Sequence, residues 1–115
     1  MKDLVNKKCV PCEGGVLPLS REEIKDYLDE VSPPAQAGGW TLDEKAQKIS
    51  KEFKFKDFIE AIDFVNRVAD VAEEEGHHPD IHIYYNKIVL ELWTHAIGGL
   101  SENDFILASK IDLRK

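Results

Sequence analysis

The sequence predicts an α+β domain in which helices pack on one face of an antiparallel sheet. Three observations lead to this class: a long helical apolar stripe over residues 56–75, a β-hairpin pattern over 80–94, and capping signals at two helix starts. With 115 residues, the chain is predicted to be one domain over 1–115, because a chain of this length buries one core and rarely two.

The first part of the chain is predicted to be an irregular arm followed by a helix. Residues 1–19 form the arm, since Cys9-Val-Pro-Cys-Glu-Gly-Gly15 contains Pro and paired Gly, which resist helix and strand alike. Ser20 and Glu23 have the spacing of a capping box, so a helix is predicted over Arg21–Val31. Ser32-Pro33-Pro34 ends it.

Two strands and the strongest helix follow. Residues 40–42 and 46–55 mix apolar and polar positions with β-favouring types, which predicts two strands. Residues 56–75 have the three- and four-residue apolar spacing of a helix that Gly76 ends, with the stripe formed by Phe58, Ala61, Ile62, Val65, Val68, Ala69 and Ala72.

A hairpin and a last helix complete the chain. The strands are predicted over 80–85 and 88–94 around an Asn86-Lys87 loop, in which the asparagine adopts a positive φ. Ser101 is the predicted start of the last helix, whose core-facing residues are Phe105, Ile106, Ala108 and Ile111.

The predicted two-residue loop also fixes a register. Tyr85 then pairs with Ile88, and one face of the hairpin is apolar and forms core, carrying Ile81, Ile83, Tyr85, Ile88, Leu90 and Leu92. On the other face, His78 is predicted to lie opposite His95 with Cβ atoms roughly 5 Å apart, and Asp80 opposite Trp93.

The composition disfavours several classes of function. A net charge of −7 and a pI near 5.0 oppose direct binding of DNA or RNA, whose phosphates attract Lys and Arg. No apolar run approaches the roughly 20 residues that span a bilayer. The first residues lack the apolar stretch of a secretory signal, so we expect a cytoplasmic protein with no Cys9–Cys12 disulfide.

The histidines point to proton transfer or metal binding. All four lie between His77 and His95. Imidazole has an ordinary pKa of about 6.5, so it both donates and accepts protons near neutral pH.

The spacing of these residues resembles the signature of the pterin-4a-carbinolamine dehydratases, over roughly 40–111. The matching pattern is Glu73-x3-His77-His78-Pro79-x5-Tyr85-x9-His95-x8-Asp104. The resemblance implies an α+β domain with a four-stranded antiparallel sheet, helices on one face, and assembly as a homodimer or homotetramer.

The resemblance also implies an activity, the dehydration of 4a-hydroxytetrahydropterin to quinonoid dihydropterin without a redox cofactor or metal. It assigns acid/base work to His77 and His95, leaving open which ring does which step. His78 orients the pterin, while Asp104 and Glu73 polarise or position the histidines. The catalytic set is thus His77, His78, His95 and Asp104, and the substrate-binding set is Glu73, Asp80, Trp93 and Thr94.

Simpler accounts exist for several of these residues. Asp104 stands at the third position after Ser101, where a carboxylate ordinarily caps a helix, and Glu73 lies in a run of three glutamates at a helix end. Trp93 and Tyr84 either stack on a pterin or pack against a partner subunit. His82 either lines the same cavity or is an exposed strand histidine, and the second account is the simpler one.

Three other functions stay open at this stage. Zinc binding by His78, His82, His95 and Asp80 requires convergence that a hairpin does not easily give, and Cys9-x2-Cys12 is a single pair and therefore a weak metal or redox motif. A non-catalytic dimerisation module would need the oligomer surface alone. A different pterin pathway, such as molybdenum cofactor metabolism, would use the same fold.

Overall fold

The computed structural model describes residues 4–9, 17–32 and 39–114. Its helices are α1 (Arg21–Val31), α2 (Phe58–Glu75) and α3 (Glu102–Asp112), and its strands are β1 (Thr41–Leu42), β2 (Ile49–Lys54), β3 (Asp80–Tyr84) and β4 (Lys87–Leu92). Two 3₁₀ turns lie at Leu4–Asn6 and His95–Ile97. Cys12 and the prolines at 33 and 34 lie outside the described residues, so the predictions on them stay predictions.

The four strands form one antiparallel sheet in the order β1-β2-β4-β3. The helices α2 and α3 pack against each other, and α2 also packs against β4. Aromatic contacts join helix and sheet, since the rings of Phe53 on β2 and Phe64 on α2 have centroids 4.7 Å apart. The predicted α+β class, with a four-stranded antiparallel sheet and helices packed on it, is confirmed.

The predicted capping signals set the helix starts. Ser20 and Glu23 form the capping box of α1, whose bounds match the prediction. Asp57 caps α2, which therefore begins two residues later than predicted, and Gly76 ends it in the left-handed conformation at φ 66°. Ser101 caps α3 as predicted.

The buried side of α2 differs in part from the predicted stripe. Ala61, Val68 and Ala72 are buried as expected, and Phe64 and Val71 join them. Phe58 is 45% exposed and Ala69 is exposed. The apolar residues of α2 span more than one face, and the sheet covers only the part centred on Phe64.

The predicted hairpin register is wrong. Tyr84 pairs with Lys87 and Ile83 with Ile88, so the loop is Tyr85-Asn86. Tyr85, and not the asparagine, has the positive φ, at 53°. Asn86 instead docks the loop on β2, because its side-chain amide donates to the Phe55 carbonyl at 3.1 Å while its own carbonyl accepts from the Phe55 N–H at 2.8 Å.

The register error shifts partners by two residues, so it leaves each side chain on its predicted face. Ile88, Leu90 and Leu92 are fully buried as expected. On β3, Ile81 packs against the core as predicted, but the prediction fails for Ile83, which is 44% exposed, and for Tyr85 just after the strand, which is 66% exposed. The strand β3 is the edge of the sheet, and the helices do not cover its far end.

The helix α3, which packs against α1 and α2, supplies the remaining core. Four predicted core residues of α3 are buried: Phe105, Ile106, Ala108 and Ile111. Among the described helices, none is long and apolar enough to span a bilayer.

Candidate active site

The end of α2 places two histidines side by side. Gly76 turns the chain and the His77 N–H donates back to the Ala72 carbonyl at 3.3 Å, which closes the helix. The His77 side chain is 12% exposed, with Nε2 2.6 Å from Asp104 Oδ1. His78 points into solvent, 59% exposed, with Nε2 3.1 Å from Glu73 Oε2.

Asp104 is the fully buried carboxyl group of the site. Its Oδ2 accepts from the Ser101 N–H at 3.0 Å and from the Thr94 hydroxyl at 2.9 Å, and its Oδ1 contacts His77. It lies in the first turn of α3, where the helix dipole also favours a negative charge. The same carboxylate therefore caps the helix and bonds a histidine.

This arrangement selects one protonation pattern for His77. An ionised carboxylate only accepts hydrogen bonds, so Nε2 of His77 carries the proton that faces Asp104. The other ring nitrogen, Nδ1, is then the one that does not face Asp104. A carboxylate that holds an imidazole in one tautomer is a recurring device of acid/base sites.

The third histidine is presented by a short turn after β4. Thr94 and Gly99 form an isolated antiparallel bridge, with the Thr94 N–H 2.8 Å from the Gly99 carbonyl. His95 opens the 3₁₀ turn between them and is exposed. The Thr94 side chain is buried and contacts Asp104 and Ser101, so in this structure it supports the carboxylate.

Trp93 holds the ring of His95. The two rings stack at a centroid distance of 3.9 Å and an interplanar angle of 29°. The indole N–H donates to Asp80 Oδ2 at 3.1 Å, and the Lys48 ammonium lies 5.1 Å from the indole centroid. Trp93 therefore has contacts that orient His95, in addition to any surface it offers a substrate.

These residues surround one cavity of about 420 Å³, a size within the range of small-molecule sites. Six of the predicted site residues line it: His77, His78, Asp80, Trp93, Thr94 and His95. The other two reach it through a histidine, Asp104 through His77 and Glu73 through His78.

The predicted pairing of His78 with His95 across the hairpin is wrong. β4 ends at Leu92, and His95 lies in the 3₁₀ turn beyond it. Asp80 pairs with Glu91 in the sheet, although its side chain does reach the Trp93 indole. The two imidazoles face the same cavity because a helix end and a turn converge there, and not because two strands pair.

Sequence reasoning missed three residues around this site. Asn103 is 4% exposed and lines the cavity beside Asp104, Lys48 approaches Trp93, and Glu75 is buried near His77. Only Asn103 had a signal in the sequence, its position next to Asp104 in the first turn of a helix. Over the described ranges, no three His, Cys, Asp or Glu side chains are grouped as metal ligands.

Comparison with known proteins identifies the family. The pterin 4 alpha carbinolamine dehydratase family profile matches residues 17–113. The chain is 46% identical to the mitochondrial pterin-4-alpha-carbinolamine dehydratase 2 of Arabidopsis thaliana, over 97% of this chain and 59% of that protein. It is 49% identical to a Halorhodospira halophila protein provisionally named as the same enzyme, over 95% of this chain and 94% of that one.

A solved structure adds to this likeness. The crystal structure of a transcriptional coactivator/pterin dehydratase from Brucella melitensis superposes with a TM-score of 0.75 at 31% identity, over 84% of this chain and 97% of that one. Because the profile covers most of the chain, this chain belongs to the pterin 4 alpha carbinolamine dehydratase family.

Proposed function

We propose that the chain dehydrates 4a-hydroxytetrahydropterin to quinonoid dihydropterin by histidine acid/base catalysis and so supports tetrahydropterin recycling. The observation that carries this proposal is that His77 and His95 line one cavity, with the buried Asp104 bonded to His77 behind it. The family membership supports the same substrate class.

The reaction needs one acid and one base. The bond between C4a and the hydroxyl oxygen breaks while that oxygen takes a proton, so water leaves. The N5–H bond gives up its proton, and its electron pair forms the C4a=N5 double bond. Each well-placed proton-transfer group contributes on the order of 10²–10⁴-fold to such a rate.

The site divides this work between two imidazoles. His77 is held by Asp104 with Nε2 as the fixed N–H, which leaves Nδ1 for proton exchange. His95 is oriented by the Trp93 ring against which it stacks. One ring protonates the leaving hydroxyl and the other takes the N5 proton.

The other predicted residues bind and orient. His78 lies on the open side of the cavity and is itself held by Glu73. Asp80 and Thr94 line the cavity while bonding Trp93 and Asp104. A flat bicyclic pterin with several N–H and carbonyl groups offers hydrogen-bonding partners to such a lining.

The test is the dehydration rate of 4a-hydroxytetrahydropterin with purified protein. We expect acceleration above the spontaneous rate, and a loss of at least tenfold in His95→Ala. The matched control is His82→Ala, because His82 is an exposed strand histidine that bonds Glu91 at 2.8 Å and does not belong to the cavity lining. Wild-type protein that gives only the spontaneous rate would reject the proposal.

The edge strand favours a second proposal, that the chain assembles as a homodimer or homotetramer. Among the strands that the structure describes, β3 pairs with β4 alone and has one open edge, and Ile83, Tyr84 and Tyr85 at its end are 44%, 57% and 66% exposed. Apolar side chains beside an open strand edge favour pairing with another chain.

An assembly surface also supports a non-catalytic alternative, a dimerisation or interaction module. The name of the Brucella melitensis protein includes transcriptional coactivation. The activity of such a module would be unchanged in His95→Ala and would be lost when the β3 edge is changed. Dehydratase activity, by contrast, would be lost in His95→Ala. Use in another pterin pathway, such as molybdenum cofactor metabolism, would appear as turnover of a different pterin by the same histidines.

A further inference from the structure

Glu75 joins three segments of the chain just before the first histidine of the site. It is the last residue of α2, and its side chain is only 5% exposed. Its Oε2 accepts from the Lys110 ammonium on α3 at 2.7 Å, and its Oε1 accepts from the Cys9 N–H at 2.9 Å. Burial alone would raise the pKa of Glu75, but the hydrogen bonds from Lys110 and Cys9 outweigh it and lower the pKa, so the group is an anion at neutral pH.

The N-terminal segment 4–9 lies along the start of α3. Leu4 is buried in the core, and the Lys7 ammonium bonds Glu102 at 2.9 Å. The Cys9 thiol donates to the Asn103 carbonyl at 3.5 Å. Burial, followed by the charge of Glu75, raises the pKa of this thiol to about 12, so it remains a neutral donor.

The network spans the same two helices as the His77–Asp104 contact. Glu75 precedes His77 by two residues, and the Asn103 carbonyl belongs to the residue before Asp104. Two links therefore fix the end of α2 to α3, one through Glu75 and Lys110 and one through His77 and Asp104. A shift of a few tenths of an ångström between the helices would lengthen the 2.6 Å contact of His77.

We propose that Glu75 is a positioning residue whose contacts with Lys110 and Cys9 set the distance between His77 and Asp104. This inference rests on the proposed dehydratase function, which it extends to a residue outside the cavity. A buried ion pair costs desolvation, and an apolar pair of similar volume would join two helices as well. The carboxylate of Glu75 adds direction to these contacts, because one oxygen bonds Lys110 and the other bonds Cys9.

The experiment compares Glu75→Gln with Glu74→Gln. Glutamine at 75 keeps an acceptor for the Cys9 N–H and loses the charge that pairs with Lys110. The matched control changes the neighbouring Glu74, whose side chain is 66% exposed and 4.0 Å from Arg114. We expect Glu75→Gln to lower kcat/KM for 4a-hydroxytetrahydropterin about tenfold, mainly through kcat, and Glu74→Gln to leave it unchanged.

A spectroscopic readout separates positioning from general destabilisation. The proton between His77 Nε2 and Asp104 Oδ1 gives an imidazole N–H signal in the proton NMR spectrum, assigned by its loss in His77→Ala. We expect this signal to move or broaden in Glu75→Gln and to persist unchanged in Glu74→Gln. This readout does not depend on turnover, so it tests the inference even if the dehydratase proposal fails.

If Glu75→Gln does not fold, the double variant Glu75→Leu/Lys110→Met replaces it. That variant removes the charges together and leaves none buried alone. We expect the folded double variant to show the same loss of kcat and the same change in the His77 signal. Wild-type kcat with an unchanged His77 signal, in whichever variant folds, would overturn the inference.

Discussion

Replacing Asp104 by asparagine tests the part of the site that the structure defines best. The carboxylate is fully buried and accepts from His77, from the Thr94 hydroxyl and from the Ser101 N–H. If the side-chain oxygen of the new asparagine accepts the hydrogen bonds from Thr94 and Ser101, its NH₂ group faces His77 Nε2. Nε2 must then accept, so the ring proton moves to Nδ1, the nitrogen that exchanges a proton in the proposed mechanism.

The structure sets the expected size of the effect. Hydrogen bonds to a charged group contribute about 1.5–3 kcal/mol, so Asp104→Asn should lower the free energy of unfolding by about that amount. Holding the imidazole in the wrong tautomer removes its acid/base function, so kcat should fall on the order of 10²–10⁴-fold.

The assay is steady-state dehydration, with urea unfolding on the same preparations. Asp112→Asn is the matched control, because Asp112 lies on the same helix, away from the cavity, and accepts from Trp40 Nε1 at 3.1 Å and Lys51 Nζ at 2.8 Å. It should lose stability and keep its kcat. Folded Asp104→Asn with kcat within threefold of wild type, about 0.7 kcal/mol in activation free energy, would refute the reasoning.

Four further outcomes follow from the geometry. Trp93→Leu should lower kcat about three- to tenfold, and Trp93→Phe should lower it less, because phenylalanine can still stack on His95. Equal kcat values in the two variants would show that stacking on His95 does not affect the rate. Because the pKa of Glu75 is lowered on folding, its stabilisation is present above the ordinary value of 4.5 and is lost as the pH falls through the folded value. Urea unfolding of Glu75→Gln should therefore depend less on pH below about 4.5, and parallel curves for the two proteins would count against the assigned contacts. Because the pKa of Cys9 is raised to about 12, its thiol should be alkylated far more slowly in the folded than in the unfolded chain at pH 8. Peptide mass spectrometry measures both rates, and equal rates would show that the thiol is not held as described. Ile83→Lys should shift the protein to a smaller species in sedimentation experiments, and an unchanged mass would place the assembly surface elsewhere.

Local signals predicted most of the secondary structure. Ser20 with Glu23, Ser101, and the glycine at 76 are short-range capping features, and each set a helix boundary as expected. The alternation of Ile88, Leu90 and Leu92 likewise identified the buried face of β4. These predictions succeeded because the interactions involved lie within a few residues of one another.

The hairpin register failed because a tertiary contact decides it. Sequence preference favours asparagine for positive φ, but Asn86 bonds Phe55, the residue after β2, and Tyr85 takes the left-handed conformation. The prediction that Ile83 is buried failed for a related reason. Alternation of apolar and polar residues identifies one face of a strand, but it does not show whether a helix covers that face.

The site was predictable only in part. The spacing of His77, His78, His95 and Asp104 identified the cavity through a family resemblance, whereas the wrong register gave a wrong account of how the rings meet. The contacts of Glu75 could not be predicted, because its partners lie 35 and 66 residues away in the sequence. Its neighbours in the sequence are those of a solvated helix end.

In the proposed mechanism, imidazole in this cavity performs the proton transfers of pterin dehydration. The most direct measurement is kcat/KM for 4a-hydroxytetrahydropterin in His77→Ala relative to wild type, with circular dichroism to establish that the variant folds. The account predicts a loss on the order of 10²-fold or more. A folded His77→Ala protein that turns over the substrate at the wild-type rate would contradict it.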